Sequence, residues 1–427
     1  MQISEKKKTI SWALYDWANS AFSTTVVAGF FPVFFKKYWS QGEDITLSTF
    51  KLGIANSIAS IVIAILAPLL GSIADYGGIK RKFLIFFTTL GAVMTIGLYF
   101  AEEGEWRYAI FLYILASVGF AGANTFYDSQ LVDIVPAKKF HSVSALGYAL
   151  GYLGGGLLFA VNVYMTINPN LFGLNSSAEA VRVSFVTVGV WWIAFSLPIF
   201  LFVKDPEPEE KNMDRKKSYT QLIIHGSRTL AATAKHISTL RPLLLFLLAY
   251  FLYIDGVGTV IKMAIDYGMS IGLESNSLIT ALLITQFIGF PSAMIFGWIG
   301  NKVGAKKGVY LALIVYIFVT IMGYSMDSTQ EFYLLAIAVG LVMGGIQSLS
   351  RSIYAAMIPE SQSAEFFGFF NLFGKFAAIM GPAVMGYVGH LTKSPRLSIL
   401  SLIVFFVVGG VLLSYVDETY RAKASSA

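Results

Sequence analysis

Apolar runs fill the sequence almost from end to end, separated by short polar turns. They cover residues 12–35, 52–74, 83–101, 108–127, 143–165, 181–203, 242–265, 277–300, 308–326, 332–357, 366–391 and 397–416. Each is long enough for the ~20 residues a helix needs to cross a bilayer. A segment crossing lipid must satisfy its own backbone polar groups, which a helix does. The pattern predicts an all-α membrane protein of twelve transmembrane helices. Composition agrees: 56% hydrophobic against 13% charged residues leaves too little polar surface for a soluble protein of 427 residues.

Charge fixes the expected orientation. The net charge of +6 is no sign of nucleic-acid binding, because its distribution has a membrane explanation. Of 31 Lys and Arg residues, 21 fall on the N-terminal tail and the connections on its side, 7 on the opposite side, and 3 (Lys262, Arg351, Lys375) inside helices. Basic residues are retained on the cytoplasmic face, so both termini are expected there. The polar N-terminus and the polar Asp16 and Asn19 in the first run argue against a cleaved signal. Without cysteine, neither disulfides nor thiol chemistry can arise. The four histidines do not cluster as a zinc site requires, and no phosphate-binding loop follows a strand. No metal, no cofactor and no catalytic group are expected, so the chain reads as a non-enzyme.

The chain also repeats itself. Gly71-Ser72-Ile73-Ala74-Asp75-Tyr76-Gly77-Gly78-Ile79-Lys80-Arg81-Lys82 joins the second and third runs. Gly297-Trp298-Ile299-Gly300-Asn301-Lys302-Val303-Gly304-Ala305-Lys306-Lys307 joins the eighth and ninth, 226 residues later. Gly71, Asp75, Gly78 and Arg81 stay in register with Gly297, Asn301, Gly304 and Lys307. The fourth and tenth runs repeat at an offset of 223, which aligns Asn124 with Gln347, Asp128 with Arg351 and Pro136 with Pro359. Such duplication marks transporters built from two similar halves. The expected organisation is a six-helix half over 1–203, a cytoplasmic linker over 204–240 and a second six-helix half over 241–427. Within the linker, Ser218–Leu240 has the pattern of an amphipathic surface helix.

Polar side chains inside apolar runs are the candidate functional groups, because lipid cannot satisfy them. Asp16, Asn19, Ser20 and Ser23 share one face of the first helix. Trp12, Tyr15 and Trp17 beside them suit the headgroup level. By depth, Asp16, Asp128 and Arg351 lie in the cytoplasmic third, while Asn124, Asp255, Gln286, Gln347 and Lys375 lie nearer the middle. The deeper group, with Tyr253, Asn371, Asp16 and Asn19, is the expected solute- or proton-binding set. Asp128 with Arg351 forms the expected gate, Asp255 is expected to pair with Lys375, and Asp75, near a helix N-terminus, is expected to lock the turn with Arg81 close to Asp133. Gly147, Gly151 and Gly155 form a small-residue face expected to pack between halves.

The repeated glycine and basic turn resembles motif A of the major facilitator superfamily, with Asn301 replacing the acid in the second copy. Tyr15-Asp16-Trp17-Ala18-Asn19-Ser20-Ala21-Phe22, Tyr253-Ile254-Asp255-Gly256 and Phe370-Asn371-Leu372-Phe373-Gly374-Lys375 resemble the "unknown major facilitator" family, which is similar to the autophagy-related vacuolar effluxers of fungi. That resemblance implies the major facilitator fold, two pseudo-symmetric six-helix halves, with helices 1, 4, 7 and 10 lining a central cavity. It implies, more weakly, transport of neutral amino acids. The expected function is alternating-access secondary transport of a small polar or zwitterionic solute, coupled to protons, by a monomer in the bacterial inner membrane. Two rivals stand beside it: an exporter of amphipathic compounds, and a membrane receptor that binds without transport. The expected partners are a small solute, protons and the lipid bilayer.

Overall fold

A computed structural model describes residues 4–42, 45–205 and 240–421. The linker's 206–239, including nearly all of the expected amphipathic helix, lie outside the described residues. Every long element is helical. In chain order they are α1 (Glu5–Trp39), α2 (Ile45–Gly77), α3 (Lys80–Gly97), α4 (Trp106–Ser129), α5 (Phe140–Ile167), α6 (Ser177–Phe202), α7 (Arg241–Ser270), α8 (Ser275–Lys302), α9 (Ala305–Ser325), α10 (Thr329–Met357), α11 (Ser363–Thr392) and α12 (Pro395–Ser414). Among the described residues, eleven helices are long and apolar enough to span a membrane. The remaining long helix, α11, has thirty residues.

The helices start where the sequence supplies caps. Ser4, Ser176 and Ser328 each accept from a backbone N–H in the first turn, and Ser328 with Glu331 closes a reciprocal capping box. The first helix begins before the apolar run does, because Glu5–Lys8 form a capped polar turn ahead of it. Phe22–Phe30 of α1 winds as a wider π-helix, and α12 is interrupted between Leu400 and Ile403.

Apolar faces turn both ways. Phe86, Phe111, Ile65, Ile314, Leu334 and Val404 are exposed on the bundle's outside, as a lipid-facing surface requires. Inside, α1 packs on α5 and α6, and α3 on α4 and α6. Gly119 brings α4 so close to α3 that a methyl there would lie 2.4 Å from the Gly91 nitrogen. The last six helices contact the first six through α5 against α8 and α10, and α2 against α11.

The end that bears both termini is tied together by polar contacts. Glu5 pairs with Lys139, Arg421 with Glu360 at 2.6 Å, and Lys306 donates to the Ser414 and Val416 carbonyls at 2.9 and 2.7 Å.

Candidate functional site

The first charged cluster forms where α1, α4, α5 and α10 meet. Arg351, 2% exposed, reaches Asp128 Oδ1 at 2.9 Å and Asp16 Oδ2 at 3.3 Å. Its Nε donates to Ser144 Oγ and its Nη2 to the Ser144 carbonyl, both at 2.9 Å. Tyr127 donates its hydroxyl to Asp16 at 2.7 Å. The guanidinium lies over three rings, 4.3 Å from the centre of Tyr148, 4.8 Å from Trp12 and 5.4 Å from Tyr127. A planar, weakly hydrated cation suits such a nest better than an ammonium would. Gly147 leaves room for it: a methyl there would stand 2.5 Å from Asp16 Oδ2.

That arrangement bears on two expectations. Trp12 and Tyr15 are fully buried within the bundle; Trp12 stacks on Tyr127 and donates to its carbonyl, and Tyr15 bonds Thr88. Trp17 stacks on Trp191 of α6. The Arg351 guanidinium and the Tyr127 carbonyl thus give the Trp12 ring polar partners inside the protein. The Gly147, Gly151 and Gly155 face, expected to pack between halves, is filled mostly from within the first six helices: it receives Asp16, Ser20 and Thr24 of α1, while Gly147 also meets Arg351 of α10 and the neighbouring Gly156 meets Gln286 of α8.

The second cluster lies on the α2–α11 seam. Asp75 accepts from the Ala364 and Glu365 N–H groups at 3.1 and 2.8 Å, the first turn of α11, where unpaired amides and the helix dipole attract an anion. Lys80 bonds Asp75 at 3.1 Å, Asp133 at 3.0 Å and Ser363 Oγ at 2.7 Å. Here the sequence reading needs correction: Lys80, not Arg81, pairs with Asp133. The turn explains it. Gly78 takes a left-handed φ of +59°, and α3 then begins with Lys80 pointing into the seam. Arg81 instead offers its backbone N–H to Asp205 at 2.9 Å. Burial pushes the Asp205 carboxyl above the usual range, and that hydrogen bond only partly offsets it. Gly71 sits so close to α11 that a methyl would lie 2.3 Å from the Ala364 carbonyl oxygen.

The repeated turn forms a counterpart seam between α5 and α8. Gly304 again has positive φ, +110°, and Asn301 donates to Ser142 Oγ in the first turn of α5. His141, which lies within that same first turn, shares a 2.8 Å hydrogen bond with Ser352, and Ser144 Oγ donates to the Ser348 carbonyl at 2.8 Å.

Deeper in the bundle the amides gather in part. Asn19 donates to Asn124 at 2.6 Å, Tyr152 reaches Gln347 at 3.5 Å, and Gln286 is buried with its carbonyl oxygen unpartnered. Asn371 donates to its own helix at Phe367. Tyr250, Phe370 and Tyr354 stack beside them. Two expected members stand apart. Tyr253 bonds Ser350 at 2.7 Å and packs against Gly409 of α12, so it is a packing residue of the last six helices. Asp255 is 0% exposed and faces Gly381; its expected partner Lys375 has a side chain outside the described set, and Lys262, two turns further along α7, acts on it electrostatically.

Sequence reasoning missed Lys80, Ser144, Tyr127, Tyr148 and Ser363. Tyr127, next to Asp128, and Trp12, one turn before Asp16, carried a signal in their spacing; Ser144 and Ser363 carried none.

The chain superposes on the proton:xylose symporter XylE with a TM-score of 0.72 at 14% identity, over 97% of this chain and 96% of that one. The fold is that of the major facilitator class, a multi-pass membrane architecture. Residues 41–425 match the family described as "Vacuole effluxer Atg22 like". An MFS-type transporter of Bacillus subtilis, YxiO, of uncharacterized role, is 38% identical over 98% of this chain and 97% of its own. Autophagy-related protein 22 of Pichia angusta is 24% identical over 88% and 75%. This chain belongs to the Atg22-like family.

Proposed function

We propose that the protein is a proton-coupled carrier that moves a small polar or zwitterionic solute across the bacterial inner membrane by alternating access. In this reading α11 is the twelfth span, residues 1–203 and 241–427 form two halves, 204–240 links them, and both termini lie in the cytoplasm. The observation that carries it is Arg351: a cation of α10 held by Asp16 and Asp128 of α1 and α4, and releasable only if those helices part. The Lys80 cluster and the Asn301 seam close the same end. Asn19, Asn124, Gln286, Gln347 and Asn371, with the Tyr250–Phe370 stack, would then meet the solute. Such amides recognise hydroxyl, carboxylate and ammonium groups by hydrogen bonds without demanding a net charge. The match to the family described as "Vacuole effluxer Atg22 like", with the weaker implication drawn from the resemblance to the fungal effluxers, makes neutral amino acids the first solutes to test.

Purified protein in liposomes, given an imposed pH gradient, supplies the test. Accumulation of a radiolabelled neutral amino acid that collapses with a protonophore supports the reading. Transport of lipophilic cations alone would favour the amphipathic exporter, and saturable binding without accumulation would favour a receptor.

A further inference from the structure

The amide group and the arginine lock leave the buried carboxyl of Asp255 unused. Both carboxylate oxygens of Asp255 lack a hydrogen-bond partner, and so does the hydroxyl of Thr259, one turn along α7. Thr259 on α7 and Gly381 on α11 flank the carboxylate. Across the seam, a methyl at Gly381 would stand 2.0 Å from Thr259 Oγ1 and 3.0 Å from Asp255 Oδ1. The packing is therefore closed over the acid and leaves no room for a hydrated ion. The residue after Gly381 is Pro382, which has no N–H, so α11 forgoes one helical hydrogen bond just where it covers Asp255.

Among the described residues, charges on the surrounding helices are engaged elsewhere or lie far along their helices. On α10, Arg351 is held by Asp16 and Asp128, and Glu331 caps its own helix. On α11, Glu365 and His390 lie toward opposite ends, and Lys375 has no described side chain. On α8, Lys302 lies at the terminus-bearing end, and on α12 Arg396 pairs with Asp327. On α7 itself, Arg241 is at the far end and Asp266 has no described side chain. Among the described residues, Lys262 is the charge that acts on Asp255, two turns away along α7. An ionised carboxylate in this setting would be desolvated without compensation.

We infer that Asp255 is the proton carrier, loaded and sealed in the α7–α11 seam, apart from the solute-facing amides. This rests on the secondary-transport reading and adds a place for its coupling ion. A proton from water forms an O–H bond on one carboxylate oxygen, and the acid can then donate to Thr259 Oγ1, whose lone pairs are free. Release requires α7 and α11 to separate at the Gly381-Pro382 weak point, returning the proton to water and leaving a carboxylate near the Lys262 ammonium. Coupling then acts through the packing of two helices within the last six, and the solute need not touch the acid.

The test needs no solute. Dicyclohexylcarbodiimide, a lipid-soluble reagent, modifies protonated carboxyl groups in apolar surroundings. Peptide mass spectrometry of the treated full-length protein should find an adduct on Asp255, with a yield falling about tenfold per pH unit once the acid ionises. Asp255→Glu should keep the adduct, and Thr259→Val should shift the pH at which it disappears. Absence of an adduct in the wild type, a pH-independent yield, or protection by sodium at constant pH would overturn the assignment. The vesicle assay is independent of these outcomes, so the site and the transport reading can fail separately.

Discussion

Replacing Arg351 by Leu is the most direct probe of the closed end. The side chain is 2% exposed and holds two carboxylates, so its loss strands Asp16 and Asp128 within a closed seam. Removing one partner of a buried ion pair costs about 3–5 kcal/mol. Two features put the expected value near the lower bound: Asp16 keeps the Tyr127 hydroxyl at 2.7 Å, and water reaches both acids once the seam opens. At 1.4 kcal/mol per tenfold, ~3 kcal/mol moves the balance between closed and open forms roughly a hundredfold. The native chain has no cysteine, so Ser348→Cys, a buried position beside Ser144, gives one reporter thiol. Its reaction with a membrane-impermeant maleimide added from the terminus-bearing side should be slow with Arg351 and far faster with Leu. Equal rates in the two proteins would refute the view that the arginine holds this end shut.

Four further outcomes are expected. Arg351→Glu should abolish transport, and Asp128→Arg on top should restore part of it, because the cation moved to α4 could still pair with Asp16 and with the new carboxylate on α10; vesicle flux measures both. Lys80→Met should raise thiol labelling at the α2–α11 seam well above Arg81→Met, since Lys80 joins three partners there and Arg81 contributes only its backbone. Gly119→Val should lower the melting temperature in detergent by forcing α3 and α4 apart, an overpacking cost of about 1–3 kcal/mol; a melting point unchanged from wild type would contradict the packing. Asp205→Asn should be more heat-stable than wild type at neutral pH and equal to it in acid. The folded protein holds the Asp205 proton more tightly than the unfolded chain, so stability attached to that proton is present at low pH and drains away as pH rises through the raised value.

Much of the bundle was legible because lipid imposes a simple rule: uninterrupted apolar runs become helices, and acids or bases inside them need partners. The 223-residue offset aligned Asp128 with Arg351, and these two are in contact. Legibility stopped where outcome depended on rotation about a helix axis. Lys80 and Arg81 are neighbours in sequence, and the left-handed turn at Gly78 decides which of them enters the seam. The glycines of α5 read as a face between halves, and α1 takes most of it because Asp16, Ser20 and Thr24 fill the space. Trp12 has the composition of an interface residue; a cation 335 positions from Asp16 in sequence lies over its ring, and no local pattern encodes that.

The exchange of Asp75 for Asn301 has a mechanical corollary. One flank of the terminus-bearing end is bolted by ions, Lys80 among three oxygens, whereas the other is latched by neutral contacts such as Asn301 with Ser142 and His141 with Ser352. Neutral hydrogen bonds are individually worth only about 0.5–1.5 kcal/mol, and water replaces them readily. The molecule should therefore part as a book does, with α2 and α11 as its spine and α5 leaving α8 first, while α10 lets go only when Arg351 releases Ser144, Asp16 and Asp128.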